Sequence, residues 1–175
     1  MQKSLLKEII LEQEKDRQGF DAGIPRVALS VVLRYASLLH AVVVSGIRRC
    51  GKSTLLNQVI HDHYKKGIYY LNFEDERLVN FTVDDFNDLY EVFLELYGEK
   101  KAFFLDEIQN VSKWEVFVRR MQGKGCKFFI TGSNASLLSK ELGTKLTGRN
   151  VNVELFPFSF KEFLTFKGVH LSKNS

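Results

Sequence analysis

With 175 residues, 45% of them hydrophobic, the chain can bury a core without metal or disulfide staples, and its length suits one domain. The formal net charge of +4 is a small excess with no run of Lys/Arg, which argues against a nucleic-acid-binding stripe and for a mixed, solvated surface. No signal peptide, membrane-length apolar run, internal repeat or low-complexity stretch is visible, and Cys50 and Cys126 read as reduced thiols of a cytoplasmic protein.

Leu5, Leu6, Ile9 and Ile10 share one face of an N-terminal helix. Polar residues from Glu12 to Gln18 follow, then a loop with Gly19, Gly23 and Pro25, so residues 1–23 read as a helix and loop ahead of a core over 24–170. A second helix is predicted over Val27–Ala36. The apolar run Ala41-Val42-Val43-Val44 then reads as a buried strand ending at Ser45.

Gly46-Ile47-Arg48-Arg49-Cys50-Gly51-Lys52-Ser53-Thr54 fits G-x-x-x-x-G-K-[ST], a phosphate-binding loop. Gly46 lets the chain leave the strand in a conformation barred to other residues. Gly51 lets the backbone approach a phosphate, so that successive N–H groups form an anion nest. Lys52 supplies a compact charge for the β- and γ-phosphates, and the Ser53 hydroxyl can ligate Mg²⁺. Leu55-Leu56-Asn57-Gln58-Val59-Ile60 is apolar at helical spacing, so the loop feeds a helix N-terminus whose dipole favours anions. The loop Ile24-Pro25-Arg26 lies where an adenine often rests in such proteins, or else it is an ordinary connector.

Gly67 closes the phosphate-loop helix, with Lys65 and Lys66 in its last turn, and Ile68–Phe73 reads as a second strand. Thr82-Val83-Asp84-Asp85 has the form of a capping box, and Phe86, Leu89, Tyr90, Phe93 and Tyr97 behind it read as core packing against a sheet. A third strand, Ala102-Phe103-Phe104-Leu105, delivers Asp106 and Glu107 at its carboxyl end, where ligands bind in open α/β sheets. One carboxylate can serve the Mg²⁺ shell. Its neighbour, pointing the other way on an extended chain, can polarise an attacking water.

Ser112-Lys113-Trp114-Glu115 reads as a capping box that starts the next helix. A fourth strand, Lys127-Phe128-Phe129-Ile130-Thr131, ends in Gly132-Ser133-Asn134, where Ser133 or Asn134 can contact a γ-phosphate or its water. A fifth strand, Val151–Leu155, leads to Pro157, and Ser159-Phe160-Lys161-Glu162 caps a final helix. Five strands alternating with helices give an α/β fold with a parallel, doubly wound sheet.

At this point the loop Gly46–Leu56 resembles that of the archaeal-type AAA-like ATPases found in archaea and bacteria. Leu105-Asp106-Glu107-Ile108-Gln109-Asn110-Val111 with Trp114-Glu115 is similar to that family's second motif. Thr131-Gly132-Ser133-Asn134, Leu146-Thr147-Gly148-Arg149 and the stretch Leu155–Leu164 match its remaining signatures in order, over about residues 24–166. The resemblance implies a three-layer P-loop NTPase with a five-stranded parallel sheet of order 5-1-4-3-2. It implies ATP and Mg²⁺ as ligands, Lys52 on phosphate, Ser53 and Asp106 on Mg²⁺, Glu107 activating water and Ser133 or Asn134 sensing the γ-phosphate. Arg149 is expected at the protomer's edge, either as a finger to a neighbouring subunit's nucleotide or as a surface ion pair to Glu141 or Glu154. It further implies a C-terminal region beyond the polar tail 171–175, as a fused domain that would carry output, or a separate protein partner.

Three activities fit these residues: ATP hydrolysis, a nucleotide-dependent switch with little turnover, and small-molecule phosphotransfer. A water-activating acid beside a Mg²⁺ acid disfavours the third. The lack of an N-K-x-D guanine motif disfavours GTP.

Overall fold

A computed structural model describes residues 1–65, 67–133, 146 and 148–169. In chain order the helices are α1 (Lys3–Gln18), α2 (Val27–Arg34), α3 (Lys52–Val59), α4 (Phe86–Tyr97), α5 (Trp114–Gln122) and α6 (Phe160–Phe166). The strands are β1 (Ala41–Ser45), β2 (Ile68–Asn72), β3 (Ala102–Asp106), β4 (Lys127–Gly132) and β5 (Asn150–Glu154). All strand pairs are parallel and the sheet order is β2-β3-β4-β1-β5, the order that the resemblance implies. The register pairs Val43 with Ile130 and Leu71 with Leu105.

The apolar runs have a simple cause. β1, β3 and β4 are buried at every position because helices cover both faces, whereas the edge strands β2 and β5 keep partly exposed residues. Alternate residues then serve opposite layers. Val43, Leu71, Phe103, Phe128 and Ile130 pack with α1, α4 and α5 on one side. Val42, Val44, Phe104 and Phe129 pack with α2 and α3 on the other. Phe103 stacks on Phe128 at 4.8 Å and Phe86 on Phe117 at 4.4 Å. Each such buried ring contributes about 1.5–3 kcal/mol. The aromatic face of α4 is core, as its spacing indicates, with Phe86, Leu89 and Phe93 fully enclosed. Leu6, Ile9 and Ile10 of α1 are buried in the same cluster, so the N-terminal helix shares the core.

Several boundaries differ from the sequence reading. The regular part of α3 stops at Val59, and a wide turn over Ile60–Tyr64 follows, closed by the Lys65 amide on the Ile60 carbonyl. Gly67 therefore turns the chain into β2 rather than ending α3 directly. α5 begins one residue later than the pattern at Ser112 implies, with Lys113 as its N-cap at φ 62°. The boxes at Thr82 and Ser159 do form: Asp85 accepts from the Thr82 amide at 2.8 Å and Glu162 from the Ser159 amide at 2.7 Å. The Lys127 ammonium ties down the connection from α2 to β1 by donating to the carbonyls of Tyr35, Leu38 and His40. None of the described helices is long and apolar enough to cross a membrane.

Candidate functional site

Parallel strands point their carboxyl ends the same way, so the ends of β1, β3 and β4 bring three separate segments together. The loop 46–51 leaves β1 there. A Cβ on Gly46 would lie 2.3 Å from the Leu155 carbonyl oxygen and 2.9 Å from the Cys50 sulfur, so no side chain fits. Gly51 sits at φ 98°, in the left-handed region, and passes the chain into α3. Gly46 is thus required by this close approach rather than by the backbone conformation closed to other residues that the sequence suggests; the left-handed position is Gly51.

Lys52 is 4% exposed, and the loop wraps its ammonium. Nζ donates to the Gly46 and Ile47 carbonyls at 3.3 and 3.2 Å and to Ser133 Oγ at 3.1 Å, and it pairs with Glu107 at 3.3 Å. Ser133 Oγ in turn donates to Glu107 Oε2 at 2.7 Å, and the Ser133 amide to the same oxygen at 3.1 Å. Lys52, Ser133 and Glu107 thus form one connected set. Asn134, the other residue expected at this tip, lies outside the described residues.

The two acids differ from the sequence expectation in one respect. Glu107 does not continue an extended chain: at φ 52°, ψ 43° it turns left-handed, and Ile108–Asn110 form a short helical turn after it. The turn folds its carboxylate toward β4 instead of leaving it on the opposite face. Burial pushes the Glu107 carboxyl up, but the hydrogen bonds from Gln109 and Ser133 and the Lys52 charge outweigh it and hold the group below its ordinary value.

Asp106 is fully buried. Burial raises its carboxyl above the usual range, although Ser53 and Thr131 hydrogen-bond it. The Tyr70 hydroxyl, which burial pushes well above its ordinary value and so keeps as a donor, lies 3.4 Å from Asp106 Oδ2.

Thr131, which the sequence marks only as the first residue of the Thr131–Asn134 signature, links both acids. Its hydroxyl donates to Asp106 Oδ1 and accepts the Glu107 amide at 2.9 Å. Apart from that signature, its sequence signal is a polar residue closing an apolar strand. Asn57, one turn after Ser53, carries no signal of its own in the sequence; it lines a groove with Ser53 and Asp106, and its buried Oδ1 has no hydrogen-bond partner among the described residues. An all-oxygen set of a hydroxyl, a buried carboxylate and an orphaned carbonyl fits a hard divalent cation such as Mg²⁺.

On the outer side of the loop lies a cleft of about 570 Å³, lined by Ile24, Arg49, Gly51, Thr54, Phe158 and Phe166. Pro25 is exposed and not part of that lining. Arg26, expected at an adenine, also lines that cleft, though its guanidinium is turned inward and the residue is 4% exposed. Its guanidinium donates to Glu162 at 3.0 Å and to the Cys50 and Phe156 carbonyls at 2.7 Å each, bolting the loop to α6. Arg48 extends outward to pair with Glu74.

Glu162 supports a pH prediction. Burial pushes its carboxyl up, but bonds from the Val27 and Ser159 amides and from Arg26 pull it down to about 2, against an ordinary 4.5. A carboxyl depressed in the folded state binds its proton first in the unfolded chain, so its contribution is complete above about pH 4.5 and is lost as pH falls towards 2. Urea midpoints over that window should fall steeply for wild type and less steeply for Glu162→Gln. An identical acid slope would show that this clamp contributes nothing.

Arg149 sits at the opposite, amino-terminal end of the strands, just before β5. Its carbonyl accepts the Ala41 amide at 2.9 Å and Gln122 Nε2 at 3.0 Å, beside the first residues of β1 and β5. It is therefore outside its own phosphate pocket, as expected. Glu154 closes the far end of β5 and Glu141 lies outside the described residues.

Comparison with known proteins accords with this geometry. An AAA domain model matches residues 39–164. An uncharacterized protein of Methanocaldococcus jannaschii is 48% identical over 131 residues, 75% of this chain and 30% of the relative. The chain spans about a third of the length of the curated relatives it matches. The fold is similar to AMPPCP-bound DnaA from Aquifex aeolicus (TM-score 0.54, 19% identity, 90% of this chain and 56% of that one). It is also similar to Hsp104 in complex with ATPγS and casein (TM-score 0.60, 16% identity, 87% and 30%). Since the domain model covers most of the sequence, the chain belongs to the AAA domain family of P-loop ATPases.

Proposed function

We propose that this domain binds Mg·ATP on the loop 46–54 and hydrolyses it to ADP and phosphate. The observation that carries the proposal is the convergence of Lys52, Glu107 and Ser133 in one hydrogen-bonded set, with Asp106 buried beside it. The loop amides and Lys52 hold the phosphates, and the base rests in the cleft of Ile24, Phe158 and Phe166. Ser53 and Asp106 hold Mg²⁺, which when bound neutralises charge on the β- and γ-phosphates. Glu107 takes the proton of the attacking water, and Ser133, hydrogen-bonded to Glu107, faces the γ-phosphate.

Arg149, at the amino-terminal end of the strands and away from its own phosphate loop, suits a γ-phosphate bound by a neighbouring copy, because its fork can spread transferred charge. Self-association through Arg149, and coupling to a fused region or protein partner, belong to the same proposal.

The metal half of the site is tested by Asp106→Asn. ATP affinity measured with Mg²⁺ should drop towards the affinity measured with chelator, whereas wild type should show a clear Mg²⁺ dependence. An unchanged Mg²⁺ dependence in the variant would remove Asp106 from the metal.

A further inference from the structure

Gln109 lies on the short turn after Glu107, and its Nε2 donates to Glu107 Oε2 at 2.6 Å. That bond fixes which end of the amide is oxygen, since the reverse placement would set an oxygen against a carboxylate. The other end, Oε1, is buried and has no hydrogen-bond partner among the described residues. An orphaned buried carbonyl is rare in native proteins and calls for a donor. A water activated by Glu107 has one: it gives one hydrogen to the carboxylate and needs an acceptor for the other to aim its lone pair at phosphorus.

We propose that Gln109 orients the attacking water together with Glu107, its Nε2 holding the carboxylate and its Oε1 accepting the water's second hydrogen. This rests on the hydrolytic reading of the site. In the step, the water oxygen bonds to the γ-phosphorus as the bond from that phosphorus to the bridging oxygen breaks. ADP leaves with the electron pair. One proton passes to Glu107, and the second hydrogen stays with the new phosphate, held by Gln109 as the bond forms. Ser133 and Lys52 contact the same carboxylate, so it keeps its place while Gln109 sets the water.

The test is ATP turnover and Mg·ATP affinity of the full chain, for wild type, Gln109→Ala, Gln109→Met and Glu107→Gln. Both Gln109 variants should lose about 10²-fold in kcat, the usual effect of a misplaced reactant, with KM and Kd unchanged. Methionine fills similar volume with neither donor nor acceptor, so a merely space-filling residue would be rescued by it. Wild-type kcat in either Gln109 variant, with Glu107→Gln inactive, overturns this inference and leaves the hydrolytic reading standing. Full activity of Glu107→Gln, or none in wild type, overturns both. A readout without turnover is exchange of the Gln109 side-chain amide protons, expected slow in wild type and fast in Glu107→Ala. Equal exchange in the two would overturn the clamp.

Discussion

Replacing Glu107 by glutamine is expected to leave Mg·ATP affinity unchanged and to lower turnover by about 10²–10⁴-fold, the usual contribution of a positioned general base. The amide has nearly the volume of the carboxylate, and its oxygen can still accept from Ser133, whose hydroxyl sits 2.7–2.8 Å away. What it cannot do is take a proton from water. The opposed influences on Glu107 suit that task, since bonds from Gln109 and Ser133 and the Lys52 charge keep it ionised despite burial. Turnover should be followed as phosphate release from excess ATP, with affinity measured separately. Glu107→Gln hydrolysing as fast as wild type would place the base elsewhere. Tight binding without turnover in both proteins would instead favour the nucleotide-dependent switch.

The parts of this site that lie on one continuous stretch were legible in the sequence. The spacing of Gly46, Gly51 and Lys52 after four apolar residues is a local pattern, but the reason for Gly46, the close approach of Leu155 and Cys50, depends on a distant segment and is not legible there. The buried strands were equally plain because strands covered on both faces carry unbroken apolar runs. Their order in the sheet came from family resemblance, since no periodicity reveals which strand lies beside which.

Contacts between distant segments were not legible. Arg26 meets Glu162 across 136 positions, so nothing near residue 26 revealed that its guanidinium would turn inward. Thr131 joins Asp106 across 25 positions, and at its place in the chain it reads only as the end of a strand. The type and neighbour of Glu107 point to its role, but nothing local in the sequence points to its left-handed backbone. That region costs a non-glycine residue energy, and here bonds with distant Thr131 and Ser133 hold Glu107 in it.

The central claim, that the loop 46–54 is a phosphate site, rests most heavily on Lys52. Its ammonium is almost wholly buried and, among the described residues, is held by two carbonyls at 3.2–3.3 Å, one hydroxyl and one carboxylate at 3.3 Å, rather than by short, strong bonds. A phosphate offers it a better partner. Lys52→Ala should therefore remove a charge-assisted contact worth about 1.5–3 kcal/mol, which weakens Mg·ATP binding roughly tenfold to a hundredfold. The loss of the apo ion pair with Glu107 is separable, because Ser133 and Gln109 continue to hold that carboxylate and a thermal melt without nucleotide reports it. The deciding measurement is calorimetric titration of Mg·ATP into wild type and Lys52→Ala. Saturable binding by wild type that weakens at least tenfold in the variant is the expected result, and ATP binding equally tight in both would contradict the assignment.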